Sequence, residues 1–319
     1  MRMIINYDKN SKMTRPFPTL RKLGAVSPYG ECTPFVYRGR LYRLELADPT
    51  RGPLDPSIHH CALIRDHETG EILTMVGEDI YYHSLYTEND EVYVLGVLID
   101  DSSTDSTSGN TIVMYATHDL ENWERRVLFS NPGWRYFNTS LTKGPDGYVL
   151  MMEASEPAEY VGTYFTCFFA TSPDLVQWTM MDYDCCFDRD LYNGGPWLRY
   201  SNGYYYLISV MILPYGRFSN YIFRTRDFRT WEVGDYNPIL MPDNEDKKIA
   251  PHAFDLTPER LEEIRSGYNI NNSDIDMCDW QGKTIITYIV GNQLGFYYMA
   301  EAEYDGTVDE LLAAYFEKP

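Results

Sequence analysis

Four carboxylates carry the first chemical signal in this chain. Asp274 and Asp276 stand two residues apart in Asn271-Asn272-Ser273-Asp274-Ile275-Asp276, a run that otherwise reads as a central strand. A period of two puts both on one face of an extended chain, and charged side chains facing inward are costly without a task or a counter-charge. Glu31 opens another strand-like run and Glu153 closes a third. Paired carboxylates suit cleavage of a glycosidic bond: one protonates the leaving oxygen while the other activates water or attacks carbon. Asn138, Asn193, Asn272, Asn292, Gln293 and Arg217 have the groups to hold hydroxyls, and Trp134, Trp197 or Tyr215 could stack on a ring face. His83 is an acid, a ligand contact or a channel filler. The plainer alternative is that Asp, Glu and Asn gather at strand ends because loops are wet.

What must position these residues is a repeat. Residues 31–46, 82–97, 137–153, 192–210 and 271–290 share a strand–turn–strand pattern. In the fourth, alternating bulky residues flank Ser201-Asn202-Gly203, and Asn-Gly supplies the positive φ angles of a tight hairpin. A second motif sits between the hairpins: Asp119-Leu120 with Trp123, Asp174-Leu175 with Trp178, and Asp227-Phe228 with Trp231. The Asp can accept backbone N–H groups of its own turn while the Trp covers the next sheet. A period of roughly 50 residues with four strands in each predicts an all-β fold, a five-bladed β-propeller. In such a ring the first residues of each hairpin, and the loop after it, converge on one concavity. Returning strands would add Glu45, Asp48, Asp100 and Asp101 to that face.

Residues 1–30 read as an irregular N-terminal arm, kept so by Pro16, Pro18 and Pro28, and residues 31–319 as the propeller domain. The acidic loop at residues 99–110 lacks the ligand spacing of an EF-hand, leaving calcium there a minor reading. Within the long insertion before the fifth hairpin, Thr257-Pro258 starts a helix and Gly267 stops it; another begins near Val308.

A net charge of −20 argues against nucleic acid or an anionic membrane as partner. The six cysteines show no C-x-x-C spacing and read as buried free thiols. With no apolar leader or membrane-length run, the cytoplasm is the expected location. No dinucleotide or P-loop fingerprint, H-E-x-x-H or G-x-S-x-G motif appears, so no cofactor and no metal are expected.

Hairpins such as NGGPWLRYSNGYYYLIS, with the S/T-x-D-L-x-x-W turns, resemble the five-bladed, clan-F-like propellers of glycoside hydrolase families 43 and 117. The run from Asn271 to Phe316 is similar to the C-terminal blade of family-117-like bacterial proteins. The resemblance covers nearly all of the chain after Glu31 and implies a glycosidase with an oligosaccharide substrate. Departures accompany it. Family 43 opens its first blade with Asp before Pro, where this chain has Glu31-Cys32-Thr33-Pro34; the third-blade Asp is matched by Asn138. The fourth-blade acid, a Glu before Gly-Pro or Ala-Pro, is replaced in Gly194-Gly195-Pro196. Family 117 uses a His acid, which brings in His83 or His252.

Two classes of function follow. As an enzyme, Glu31 and Asp274 or Asp276 are acid and base in either order, with Glu153 tuning the pair. As a binding module, the same pocket holds a saccharide without turnover. A glycoside phosphorylase would instead need cations for phosphate, and His83, His252, Arg135 and Arg217 are the candidates.

Overall fold

Two-residue turns organise the chain. The structure is a computed structural model that describes residues 2–4, 17–99, 107–162 and 164–316. Asp100, Asp101 and most of the acidic loop lie outside the described residues, as does most of the arm before Phe17.

Arg2–Ile4 (β1) and Arg21–Ser27 (β2) come first. Three sheets follow in chain order: Thr33–Tyr37 (β3), Arg40–Ala47 (β4), Cys61–Asp66 (β5) and Ile72–Val76 (β6); then Ile80–Glu88 (β7), Glu91–Leu98 (β8), Thr111–Thr117 (β9) and Glu124–Ser130 (β10); then Arg135–Gly144 (β11), Gly147–Glu156 (β12), Thr166–Ser172 (β13) and Thr179–Met180 (β14). A fourth group comprises Gly194–Ser201 (β15), Tyr204–Leu213 (β16), Arg217–Thr225 (β17) and Thr230–Val233 (β18). Helix α1 (Pro258–Ser266) precedes the last strands, Asn271–Trp280 (β19), Lys283–Gly291 (β20) and Tyr297–Tyr304 (β21), and α2 (Val308–Ala314) ends the described chain.

The first two strands of every group are antiparallel and joined by two residues, as the register pairs Tyr37↔Arg40, Glu88↔Glu91, Gly144↔Gly147, Ser201↔Tyr204 and Trp280↔Lys283 require. At Asn202 and Gly203 φ is 49° and 83°, the doubly left-handed turn that matches strand twist. The Asp motif is as local as its sequence implied. Asp119, Asp174 and Asp227 each accept two backbone N–H groups from their own turn. The apolar residue after each has a φ near +60° (Leu120 63°, Leu175 63°, Phe228 57°). The first helix starts at the expected cap, Thr257, and the second begins at Val308 as expected, capped by Thr307; both hydroxyls accept N–H groups three residues on.

Fourth and last groups belong to one nine-stranded sheet, joined by the single parallel pair Phe218↔Asn271. The arm departs from the sequence expectation. It is not irregular over Arg21–Ser27: β2 pairs antiparallel with β21 and supplies the last group's outer strand, while β1 runs parallel to β18. Its apolar stretch, Leu23 to Val26, is short and set between prolines, and only pairing with β21 makes it a strand.

Each sheet buries one face against the next. Leu44 and Ile64 meet Val94 and Val113; Leu95 and Met114 meet Leu150 and Phe168; Met151 and Phe169 meet Leu207 and Trp231; Ile208 and Ile222 meet Ile286 and Tyr298. A buried Leu, Ile or Phe contributes about 1.5–3 kcal/mol, so these apolar seams hold the groups in order, with a few hydrogen bonds between neighbouring groups beside them. The innermost strands neighbour one another in a circuit, β3–β7–β11–β15–β19 and back to β3. No sheet closes on itself among the described residues; side-chain packing completes the circuit.

Candidate active site

The circuit of inner strands brings five strand entrances together, and the same irregularity occurs at each. Between Tyr81↔Val97 and Ser84↔Leu95, β7 advances three residues while β8 advances two, so Tyr82-His83 forms a bulge. The same slip falls at Phe137-Asn138, Gly195-Pro196 and Asp274-Ile275. Before β3 the bond from Leu46 N–H to the Gly30 carbonyl, followed by Thr33↔Leu44, makes Glu31-Cys32 the counterpart. Glu31, Tyr82, Gly195 and Asp274 all have left-handed φ, 47°, 53°, 52° and 48°. Bulges re-aim side chains, and here they bring Glu31, Tyr82 and Asp274 to one cavity.

That cavity has a volume of about 320 Å³ and is lined by Glu31, Asp274, Tyr81, Tyr82, Gln293 and Tyr297, among others. Glu31 and Asp274 also line the narrow space next to it, with His83, Asn138, Gly195, Trp197 and Asp276. Farther along the inner strands a chamber of about 200 Å³ takes in Trp197, Arg199 and Asp276.

The electrostatics follow from burial of like charges. Burial first, then Asp274, then Glu153, raises the Glu31 carboxyl well above the ordinary range. Burial also raises Asp274, and the Ser273 hydroxyl opposes this by hydrogen-bonding the charged form. Glu153 is pushed up to about 8, chiefly by burial and further by Asp274, against the amide of Asn138, which donates to Oε2 at 2.8 Å. Its Oε1 is buried without a hydrogen-bond partner. Asp276 is pushed to about 7 by burial, although Thr33 Oγ1 (2.6 Å), the Met277 N–H (2.7 Å) and Trp197 all bond it. Burial lowers His83 to about 4, so it is a neutral ring whose Nε2 lies 3.1 Å from the Ile80 carbonyl.

Several residues singled out by type alone stand elsewhere. Asp274 and Asp276 do not share a face through strict alternation, because the bulge intervenes; both line the narrow space, but of the two Asp274 reaches the 320 Å³ cavity and Asp276 the chamber beyond. Trp134 is stacked with Tyr136 and Tyr160 on the core between the second and third sheets. Asn193 is buried, donating to the carbonyls of Phe165 and Asp188 and accepting the Cys167 thiol. Asn292 shapes its own loop by accepting from Leu294 and Phe296 N–H. Asn272 is fully buried and its amide has no hydrogen-bond partner. Arg217 and Tyr215 are solvent-exposed at the β16–β17 turn, and Arg135 pairs with Glu156. None of these seven lines the cavity. His252 joins His67 and Glu301 at a separate place.

Aromatic residues that sequence reasoning passed over surround the entrances. Ring contacts run from Tyr81 to Tyr82 (4.8 Å between centroids), Phe137 (5.2 Å), Phe165 (4.7 Å), Tyr192 (5.9 Å) and Phe218 (5.7 Å). The Tyr297 hydroxyl donates to Asp48 Oδ2 at 3.3 Å, and the Arg51 guanidinium sits 4.2 Å over the Tyr297 ring. The pair Tyr81-Tyr82, at the point where the first hairpin has Glu31, was the signal available in the sequence. Buried Arg260 of α1 donates to the carbonyls of Tyr297 (2.6 Å) and Pro28 (3.4 Å), so the insertion buttresses the wall beside Glu31.

No protein-family model matches the chain, and no curated protein matches it by sequence. Solved structures do match in fold. The catalytic domain of a family-62 α-L-arabinofuranosidase from Coprinopsis cinerea aligns with a TM-score of 0.57 at 8% identity, over 92% of this chain and 99% of that one. A family-43 glycoside hydrolase from Bacillus licheniformis gives 0.55 at 13% identity, over 87% and 52%. A family-32 β-fructofuranosidase from Bombyx mori gives 0.55 at 14% identity, over 90% and 62%. The chain is therefore nearly all-β with the architecture of β-propeller glycoside hydrolases.

Proposed function

We propose that this protein is a five-bladed β-propeller glycosidase that hydrolyses a glycosidic bond of a small saccharide. The observation that carries the reading is the Glu31–Asp274 pair: two carboxylates from opposite ends of the chain, close enough to perturb each other, on one partly open cavity. The circuit of five inner strands supports the blade count. The likeness to family 117 rests on the C-terminal run of sequence.

Burial, Asp274 and Glu153 all raise Glu31, whereas Asp274 is raised by burial and lowered by the neighbouring Ser273 hydroxyl. Environments that separate two carboxyls assign their roles. Glu31 is the neutral acid that gives its proton to the leaving glycosidic oxygen; Asp274 is the carboxylate that activates water or attacks the anomeric carbon. Glu153, behind them and held by Asn138, sets how tightly Glu31 keeps its proton. The fourth group's entrance carries glycines, and the acid function passes to its neighbours. A volume of about 320 Å³ lies at the small end of ligand pockets, and the tyrosine wall offers ring faces and hydroxyls suited to sugar. Among the described residues that line it, none is Arg or Lys, which favours water over phosphate as acceptor.

The test is release of reducing sugar from a panel of short and long glycosides, with and without phosphate. Phosphate-independent release by the wild type, lost in Glu31→Gln and Asp274→Asn, supports hydrolysis. Product that requires phosphate means a phosphorylase, and calorimetric sugar binding without product means a binding module.

A further inference from the structure

We propose that His67, His252 and Glu301 form a binding site for a divalent transition-metal ion of the zinc class, at the seam between the first and last groups of strands. His67 follows β5, His252 lies in the insertion before α1, and Glu301 is on β21. His67 Nε2 is 2.8 Å from Glu301 Oε2, and His252 Nε2 is 2.9 Å from Oε1. The two imidazoles lie 4.3 Å apart between centroids, tilted by 32°, and the ligand atoms of all three residues fall within 4.8 Å of one another.

An ion-pair cluster is a poor account of this geometry. One carboxylate would face two imidazolium rings that are almost in contact, and the repulsion between them would offset the second pairing. His252 Nε2, although 2.9 Å from the carboxylate, makes no well-directed hydrogen bond. A single cation resolves the conflict, since two neutral imidazole lone pairs and a carboxylate oxygen can converge on it. Two His and one Glu is a zinc ligand set that leaves a fourth position open. Calcium and magnesium prefer all-oxygen ligands and fit less well. Glu301 is 1% exposed, and both imidazoles keep an exposed edge. The open position faces a groove of about 550 Å³ lined by Gly39, Asp66, Trp280 and Gln281 along with the two histidines.

This groove is at the hairpin-turn ends of β3 and β19, whose opposite ends carry Glu31 and Asp274. Over the length of an extended strand the two sites are roughly 20 Å apart, so the ion would not take part in sugar chemistry. Its ligands come from three segments that meet only in the folded chain. Binding therefore favours the native state and fastens the seam.

The experiment uses the full chain stripped with chelator, then titrated calorimetrically with zinc chloride, with thermal unfolding and cobalt substitution as separate readouts. The expected result is one zinc ion per chain, a midpoint raised by several degrees, and tetrahedral cobalt absorption bands. His67→Ala and His252→Ala each lower zinc affinity about tenfold or more, while His59→Ala, an exposed histidine outside the cluster, does not. Unchanged zinc affinity in the His67→Ala/His252→Ala double variant, or no rise in midpoint for the wild type, overturns the site and leaves an ion-pair staple. If the single variants fold poorly, the cobalt spectrum of the wild type decides: octahedral or absent bands overturn the proposal.

Discussion

The carboxylate of Asp274, in the last group of strands, lies against the bare α-carbon of Gly195 in the group before it, and a β-carbon there would overlap Oδ1. Gly195 also has a φ of 52°, which L side chains adopt only with strain. Gly195→Ala should displace Asp274 while the sheets stay intact. The expected outcome is a fall in kcat/KM of at least tenfold with an unchanged far-ultraviolet spectrum. Wild-type kinetics would show that the orientation of Asp274 does not matter.

Removing either member of the Glu31–Asp274 pair should cost about 10²–10⁴-fold in kcat, the usual worth of a positioned acid or base. The wild-type pH profile should be a bell. Activity drops on the acid side as Asp274 gains a proton and on the alkaline side as Glu31 loses one. Both carboxyls are raised, so both limbs lie above ordinary carboxylate values. A profile with limbs at ordinary values would mean that these two groups do not govern turnover.

Glu153→Gln keeps the acceptor for Asn138 and removes a charge that raises Glu31. Its alkaline limb should move to lower pH while kcat at the optimum changes little. Stability offers a second readout. Folding raises Glu153 from 4.5 to about 8, so the folded state binds the extra proton. Stability from this group is complete below about pH 4.5 and is lost as pH rises towards 8, by up to about 1.4 kcal/mol per pH unit. Urea unfolding at pH 5 and pH 8 should therefore show a smaller loss in Glu153→Gln than in wild type; equal losses would assign the pH dependence to other groups.

Arg260 joins the insertion to the cavity wall through the carbonyls of Pro28, buried, and Tyr297, half-buried. Arg260→Ala leaves those acceptors unmet, which costs about 1–3 kcal/mol. The variant should unfold at lower temperature and show a raised KM, because Tyr297 and the chain leading to Glu31 lose their buttress. A lowered midpoint with unchanged KM would confine Arg260 to stability.

The sequence by itself determined what is local. Asn202-Gly203 fixes a turn through the φ angles it permits, Asp119, Asp174 and Asp227 bond N–H groups two and three residues away, and Thr257 and Thr307 cap the helices they precede. Glu31 and Asp274 were also legible as costly carboxylates at strand entrances, and the repeat implied that such entrances meet, as these two do at one cavity. Tertiary structure alone decided which polar residues face the cavity. A bulge adds one residue against a partner strand, and its slip depends on that strand's register, so no periodicity within residues 271–276 shows that Asp274 of the two reaches the tyrosine-walled cavity and Asp276 the chamber beyond. Asn193 and Asn272 look like sugar contacts until neighbouring sheets bury them. The Arg21–Ser27 strand exists because β21 offers it an edge, and the cluster of His67, His252 and Glu301 exists because three distant segments meet at one seam. Contacts of that kind depend on packing between sheets, which local residue types and spacing along the chain do not reveal.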